Sequence, residues 1–173
     1  GPGGTTAAAT QFGTTASFGL PDINGTNAFI MRFPASDLSA SMGIDLTAPS
    51  APNGGGSLVN NYTLILDVLF PAESANKVRP ILETDQQILT PEADLIVDAG
   101  NGIGGVPGPY HGVIAPNTWY RIGFVVDGGG RQIRKYINGV EVGVQPIATV
   151  DSLYALAREC LASPETPAAL DFW

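Results

Sequence analysis

One cysteine, Cys160, and one histidine, His111, stand in a chain of 173 residues. A lone cysteine excludes an intrachain disulfide. Too few Cys and His remain for a zinc finger or a His-rich catalytic metal site. Positive charge is scarce too: eight Lys and Arg stand against sixteen Asp and Glu, for a net charge of −8. A domain this acidic repels phosphate backbones, so nucleic acid is a poor partner. No apolar run approaches the ~20 residues of a membrane helix, so membrane insertion is not expected. A basic segment followed by an apolar one is missing at the start, and any signal peptide is expected to have been removed. Gly1-Pro2 reads as a cleavage remnant and stays outside the fold reasoning.

What is plentiful is turn chemistry. Gly (22) and Pro (14) are spread along a chain that is 44% apolar, which fits one folded domain of short strands and tight turns. Residues 1–15, rich in Gly, Thr and Ala, read as a flexible leader, and 16–173 as the domain. Strands are expected at Ser17–Leu20, Asn27–Phe33, Met42–Leu46, Tyr62–Phe70, Val78–Glu83, Asp94–Asp98 and Trp119–Asp127. In "YTLILDVLF" the even positions from Tyr62 to Phe70 are all apolar, while Thr63 and Asp67 lie on the odd face. Asn138-Gly139 is a type I′ hairpin signal, because both central residues of that turn need positive φ. With a second turn at Gly128–Gly130 it gives a three-stranded antiparallel meander. Each sheet must bury a face, so the expected fold is all-β: a two-sheet antiparallel β-sandwich. The stretch 99–112, "AGNGIGGVPGPYHG", reads as a glycine-rich excursion. "DSLYALARECLAS" has helical spacing at Leu153, Leu156, Cys160 and Leu161, against its place in an all-β chain.

The runs "NNYTLILDVLFP", "YHGVIAPNTWYRIGFVVD" and "KYINGVEVG" resemble the laminin-G-like, concanavalin A-like jelly-roll domains. Together with "FGTTASFGLPDINGTNAFIMRFP" and "APNGGG", they look like the version appended to secreted bacterial multidomain proteins. The resemblance spans about residues 12–145 and implies a jelly roll, an extended 152–161, and a secreted, extracellular location. It implies Trp119 as a core residue opening its strand. At the C-terminus only Leu170–Trp173 is left to serve as a closing strand, and the acidic loop that holds calcium in relatives is nearly missing.

Candidate chemistry is thin. Glycosidases of this fold place carboxylates on one strand, and "EADLIVD" offers Glu92, Asp94 and Asp98, with Pro91 putting Glu92 in a turn. Asp85, Asp94, Asp98 and Asn101 form an oxygen-rich stretch that suits Ca2+ by ligand type but matches no EF-hand spacing. Turn and strand-end capping is the competing reading. "GNGIGG" and "PNGGG" are phosphate-loop look-alikes without the Gly-Lys-Ser/Thr ending. Half the bases, Arg121, Arg131, Arg134 and Lys135, lie in one hairpin region, read as a solvated face or a local anion contact.

The expectation is therefore a protein that is no enzyme: a carbohydrate-binding or adhesion module whose partner is a glycan or cell-surface polysaccharide. Its candidate ligand residues are Tyr110, His111, Arg121, Arg134, Tyr136 and Asp67. Arg and Tyr suit sugars, acidic ones best. A different class of reading is a self-assembling structural sandwich, associating through residues 5–17 or 168–173. An active glycosidase ranks last.

Overall fold

The computed structural model describes residues 10–33, 44–47, 50–84, 93–157 and 159–162. The fold is all-β with antiparallel pairing. A four-stranded sheet contains β4 (Asn61–Val68), β8 (Tyr120–Asp127), β9 (Gln132–Ile137) and β10 (Val140–Pro146), in the order β10-β9-β8-β4. A three-stranded sheet runs β5 (Arg79–Leu82), β6 (Leu95–Val97), β7 (Ile103–Gly105). Two shorter ladders pair β1 (Gln11–Thr14) with β2 (Phe29–Arg32), and β3 (Ile44–Thr47) with β11 (Glu159–Ala162).

Period-two alternation explains the large sheet. Leu64 faces Phe124 and Leu66 faces Ile122 across β4 and β8, while the odd-numbered Asp67 faces Arg121. Phe124, Ile122, Val126 and Val68 are buried, with Leu64 and Leu66 packed partly buried against them. Ile81, Leu95, Val97 and Ile103 of the three-stranded sheet belong to the same cluster, so the two sheets share one core. The meander closes as expected: Asn138 and Gly139 both take positive φ. At the other turn Arg131, not one of the three glycines before it, takes the left-handed conformation (φ 57°).

Several expectations are corrected. Gln11–Thr14 lies inside the expected leader, yet it pairs with Phe29–Arg32 of its own chain. Ala16–Phe18 is a 3-10 turn instead of part of a strand, ended by Gly19 in the left-handed region. The glycine-rich excursion contains β7. Gly104 and Gly105 carry no side chain because Tyr110 and Tyr154 lie against their backbone: a Cβ would come within 2.8 Å of Tyr110 Cδ1 and 2.4 Å of Tyr154 Cε1, respectively. The 152–161 conflict resolves against the helix in the described part. Residues 152–157 form turns, and 159–162 pair with β3. Tertiary pairing outweighs a propensity worth only tenths of a kcal/mol per residue. The expected closing segment 170–173 lies outside the described residues.

The residues just after "PNGGG" hold an anion, and the anion is the protein's own. The Asp151 carboxylate accepts from Ser57 N (2.8 Å), Ser57 Oγ (2.8 Å), Leu58 N (3.0 Å) and Asn60 Nδ2 (2.7 Å). These donors hold its pKa far below the ordinary carboxylate value. Gly56 has to be glycine, since a Cβ there would lie 2.2 Å from Asp151 Oδ1. This latch ties the approach to β4 to the segment after β10.

Truncating Phe124, fully buried at the middle of β8, to Ala should cost ~3–5 kcal/mol in denaturant unfolding, as buried Phe→Ala changes do. A loss below ~1 kcal/mol would place the other face of the sheet inside.

Candidate functional site

The structure divides the expected ligand residues between two places. Asp67, Arg121, Arg134 and Tyr136 share the outer face of the large sheet. Arg121 grips Asp67 with both arms: Nε donates to Oδ1 at 2.8 Å and Nη2 to Oδ2 at 2.6 Å. Hydrogen bonding to Asp67 raises the guanidinium pKa above its ordinary value. Asp67 is thus the counter-charge that alternation predicts, and Arg121 is not a free cation. Tyr136 Oη donates to Glu141 Oε2 at 3.0 Å, with Arg134 Nη1 3.9 Å from the same oxygen.

Tyr110 and His111 lie elsewhere. Their loop packs on the inner side of β9 and β10, where the His111 ring rests against Gly143 and its backbone pairs with Ile103. Desolvation, then the nearby Lys135 charge, lowers the His111 pKa. This strand-end pairing suits a structural part. A single surface carrying all six residues does not exist.

Sequence parity marks Lys135, which the reading of this hairpin as solvated overlooks. It sits between Ile133 and Ile137, opposite Phe124, and is fully buried. Its ammonium donates to Pro109 O and, at 3.1 Å, to Gln145 Oε1. Gln145 Nε2 donates to Gly105 O (2.9 Å) and Tyr154 Oη (3.0 Å), and Tyr154 Oη donates to Val106 O. Carbonyl and amide oxygens are its partners; among the described residues no carboxylate bonds to it. Desolvation lowers its pKa from 10.5 to about 8. Burial, followed by the Asp94 charge, raises Tyr154 from 10.0 to about 12.

The described members of the oxygen-rich stretch do not converge. Asp94 is buried, its Oδ2 accepting from Thr84 N (2.9 Å) and from the Thr84 hydroxyl (2.6 Å). Beyond β6, Asp98 Oδ1 caps the turn by accepting from Gly102 N at 2.7 Å. There the resident cation is Arg79, buried over the Phe70 ring at 4.9 Å and donating to Asp98 O (3.2 Å) and Asn101 Oδ1 (2.7 Å). Desolvation, opposed by Asp98, lowers Arg79 to about 10. Asp94 and the Asp98/Asn101 pair thus serve separate networks, and the capping reading describes Asp98 and Asn101. Asp85 and Glu92 lie outside the described residues. No group of three or more His, Cys, Asp or Glu fit for a metal occurs among those described.

Among the recesses of the described residues, one of about 310 Å³ is lined by Ile23, Asn24, Asp67, Trp119, Tyr120, Arg121 and Asn138, and it gathers three of the expected and turn residues, Asp67, Arg121 and Asn138. Trp119 is half-buried, not a core residue, and its Nε1 donates to Pro21 O at 2.8 Å. That bond pins the 21–26 turn beside the end of β8. Asn138 Oδ1 accepts from Arg121 N at 2.9 Å, leaving the amide nitrogen side available. The sequence marks Trp119 and the Asn138 turn separately; only the fold brings Asn24 to them.

No family model matches this chain, and no curated protein matches it. Among the described residues, no helix is long and apolar enough to cross a membrane.

Three shifts bear on the alkaline response. Between pH 8 and 10 the unfolded chain keeps the Lys135 proton that the folded protein sheds, so stability rises with pH. Above pH 10 the raised Tyr154 pKa lowers stability as pH rises while the lowered Arg79 pKa raises it, so the two oppose each other. The melting temperature should therefore rise between pH 8 and 10. Lys135→Met should remove that rise, and a wild-type melting temperature that falls steadily from pH 8 would contradict the assignment.

Proposed function

We propose that this chain is a non-catalytic carbohydrate-binding module, of the laminin-G-like, concanavalin A-like jelly-roll kind that its sequence resembles. In this reading it belongs to a secreted bacterial protein and engages a glycan or cell-surface polysaccharide. The supporting observation is the recess in which Trp119 stands beside the Asp67–Arg121 pair, Asn24 and Asn138. An aromatic side chain with a few oriented polar groups around it is the usual composition of a sugar site. Arg134 and Tyr136 extend the polar surface along the same sheet face. The Tyr110 loop falls outside this reading, because it packs on the other side of the sheet.

The test is a panel of immobilised oligosaccharides probed with wild type and Arg121→Ala. Hydrogen bonds to a charged group contribute ~1.5–3 kcal/mol, so the variant should bind roughly tenfold or more weakly with little change in melting temperature. Hydrolysis of any oligosaccharide on the panel, lost in Glu92→Gln or Asp98→Asn, would replace this reading with that of a glycosidase.

A structural, self-associating role has one specific observation in its favour. Among the described residues strand β10 is an edge of the large sheet, and it exposes Val140 (65%) and Val144 (43%). An apolar edge with unpaired backbone groups templates strand addition. Light scattering across a dilution series decides it: concentration-dependent growth abolished by Val144→Lys supports assembly, and a monomer throughout rejects it.

A further inference from the structure

We infer that the recess selects neutral sugars that present neighbouring hydroxyls, and that Asp67 sets this choice by cancelling the charge of Arg121. The inference rests on the carbohydrate-binding reading above and narrows it to one ligand class. A lone guanidinium would favour a carboxylate, the bidentate partner that its fork geometry matches best. Here that fork is already occupied, because Nε and Nη2 are committed to the two oxygens of Asp67. A uronate arriving in the recess would meet one positive and one negative charge in contact, and it would approach a chain with net charge −8. Neither the local nor the long-range field rewards an anion.

What the pair still offers is alternation of donor and acceptor. Nη1 of Arg121 has no protein partner among the described residues, and each Asp67 oxygen keeps a lone pair beyond the Arg121 bond. Across the recess, Asn138 has spent its oxygen on Arg121 N–H and keeps its N–H₂ to donate. A sugar hydroxyl donates once and accepts readily, so two adjacent hydroxyls can bridge such a donor–acceptor pair. A carboxylate only accepts and would leave the Asp67 lone pairs facing it. The lining tryptophan, oriented by its bond to Pro21 O, adds an apolar wall that suits the C–H face of a pyranose.

The specificity therefore depends on one removable charge. Asp67 lies on the outer face with its side chain 32% exposed, so Asp67→Asn should leave the fold intact, which thermal unfolding checks. Asp67→Ser serves as a second variant of different size. The probes are manno-, cello-, xylo- and galacto-hexaose as neutral ligands, with hexagalacturonate and hexaguluronate as acidic ones, titrated at low and physiological salt. Wild type should bind at least one neutral hexaose and bind both uronates at least tenfold more weakly. In Asp67→Asn and Asp67→Ser the ratio should shift toward the uronates by tenfold or more, and the gain should shrink with added salt. Tight uronate binding by wild type, or an unchanged ratio in both variants, overturns the inference while leaving the binding module standing. Absence of binding to every probe overturns both.

Discussion

A fully buried ammonium with no carboxylate partner among the described residues is the constraint around which one side of this molecule is arranged. Lys135 lies in an apolar row between Ile133 and Ile137, and its charge is met by carbonyl and amide oxygens. Burying an ion in this way is tolerable only if it is hydrogen-bonded. That demand recruits Pro109 from the loop after β7, Gln145 from β10 and, through Gln145, Tyr154 from the segment beyond it. Gly104 and Gly105 complete the arrangement by letting the aromatic rings lie on the strand backbone. The Tyr110–His111 loop is thereby fixed to the inner side of the sheet. The same requirement removes those two residues from the surface where Arg121 and Tyr136 stand.

The opposite face follows a different rule. There the charges pair across strands in water, where an isolated ion pair adds little stability. Asp67 and Arg121 are better understood as a fixed pattern of donors and acceptors than as a clamp on the fold. Trp119 and the Asn138 turn frame that pattern because the meander ends beside the 21–26 turn. The carbohydrate-binding proposal draws its support from this juxtaposition.

Asp151 shows that a stretch discounted as a phosphate loop can still border an anion site. A Gly-rich loop with successive backbone N–H groups favours an anion. Here the N–H groups are those of Ser57 and Leu58, just after "PNGGG", the anion is the Asp151 side chain from a distant part of the chain, and the contact serves closure of the fold. Arg79 makes the corresponding point for cations. Asn101 Oδ1 and the Asp98 backbone carbonyl are taken by a buried guanidinium, while the Asp98 carboxylate caps the turn at Gly102 N.

Alternation alone determined a great deal. It set the all-β class, the inward row of Leu64, Leu66, Ile122, Phe124 and Val126, the outward Asp67 and Arg121, and the Asn138-Gly139 turn. These are legible because strand periodicity and turn φ requirements act over a few residues. Parity also placed Lys135 inside, although a charge in a hairpin reads first as solvated. Tertiary structure decided the rest: β7 within a glycine-rich run, Trp119 at a recess instead of in the core, and turns where 152–157 had helical spacing. It also decided the separation of Asp94 from Asp98 and Asn101. Each of these turns on partners distant in sequence, such as Tyr154 over Gly105 or Pro21 under Trp119. A local pattern cannot encode which distant backbone will come within hydrogen-bonding reach, because that depends on how the sheets pack.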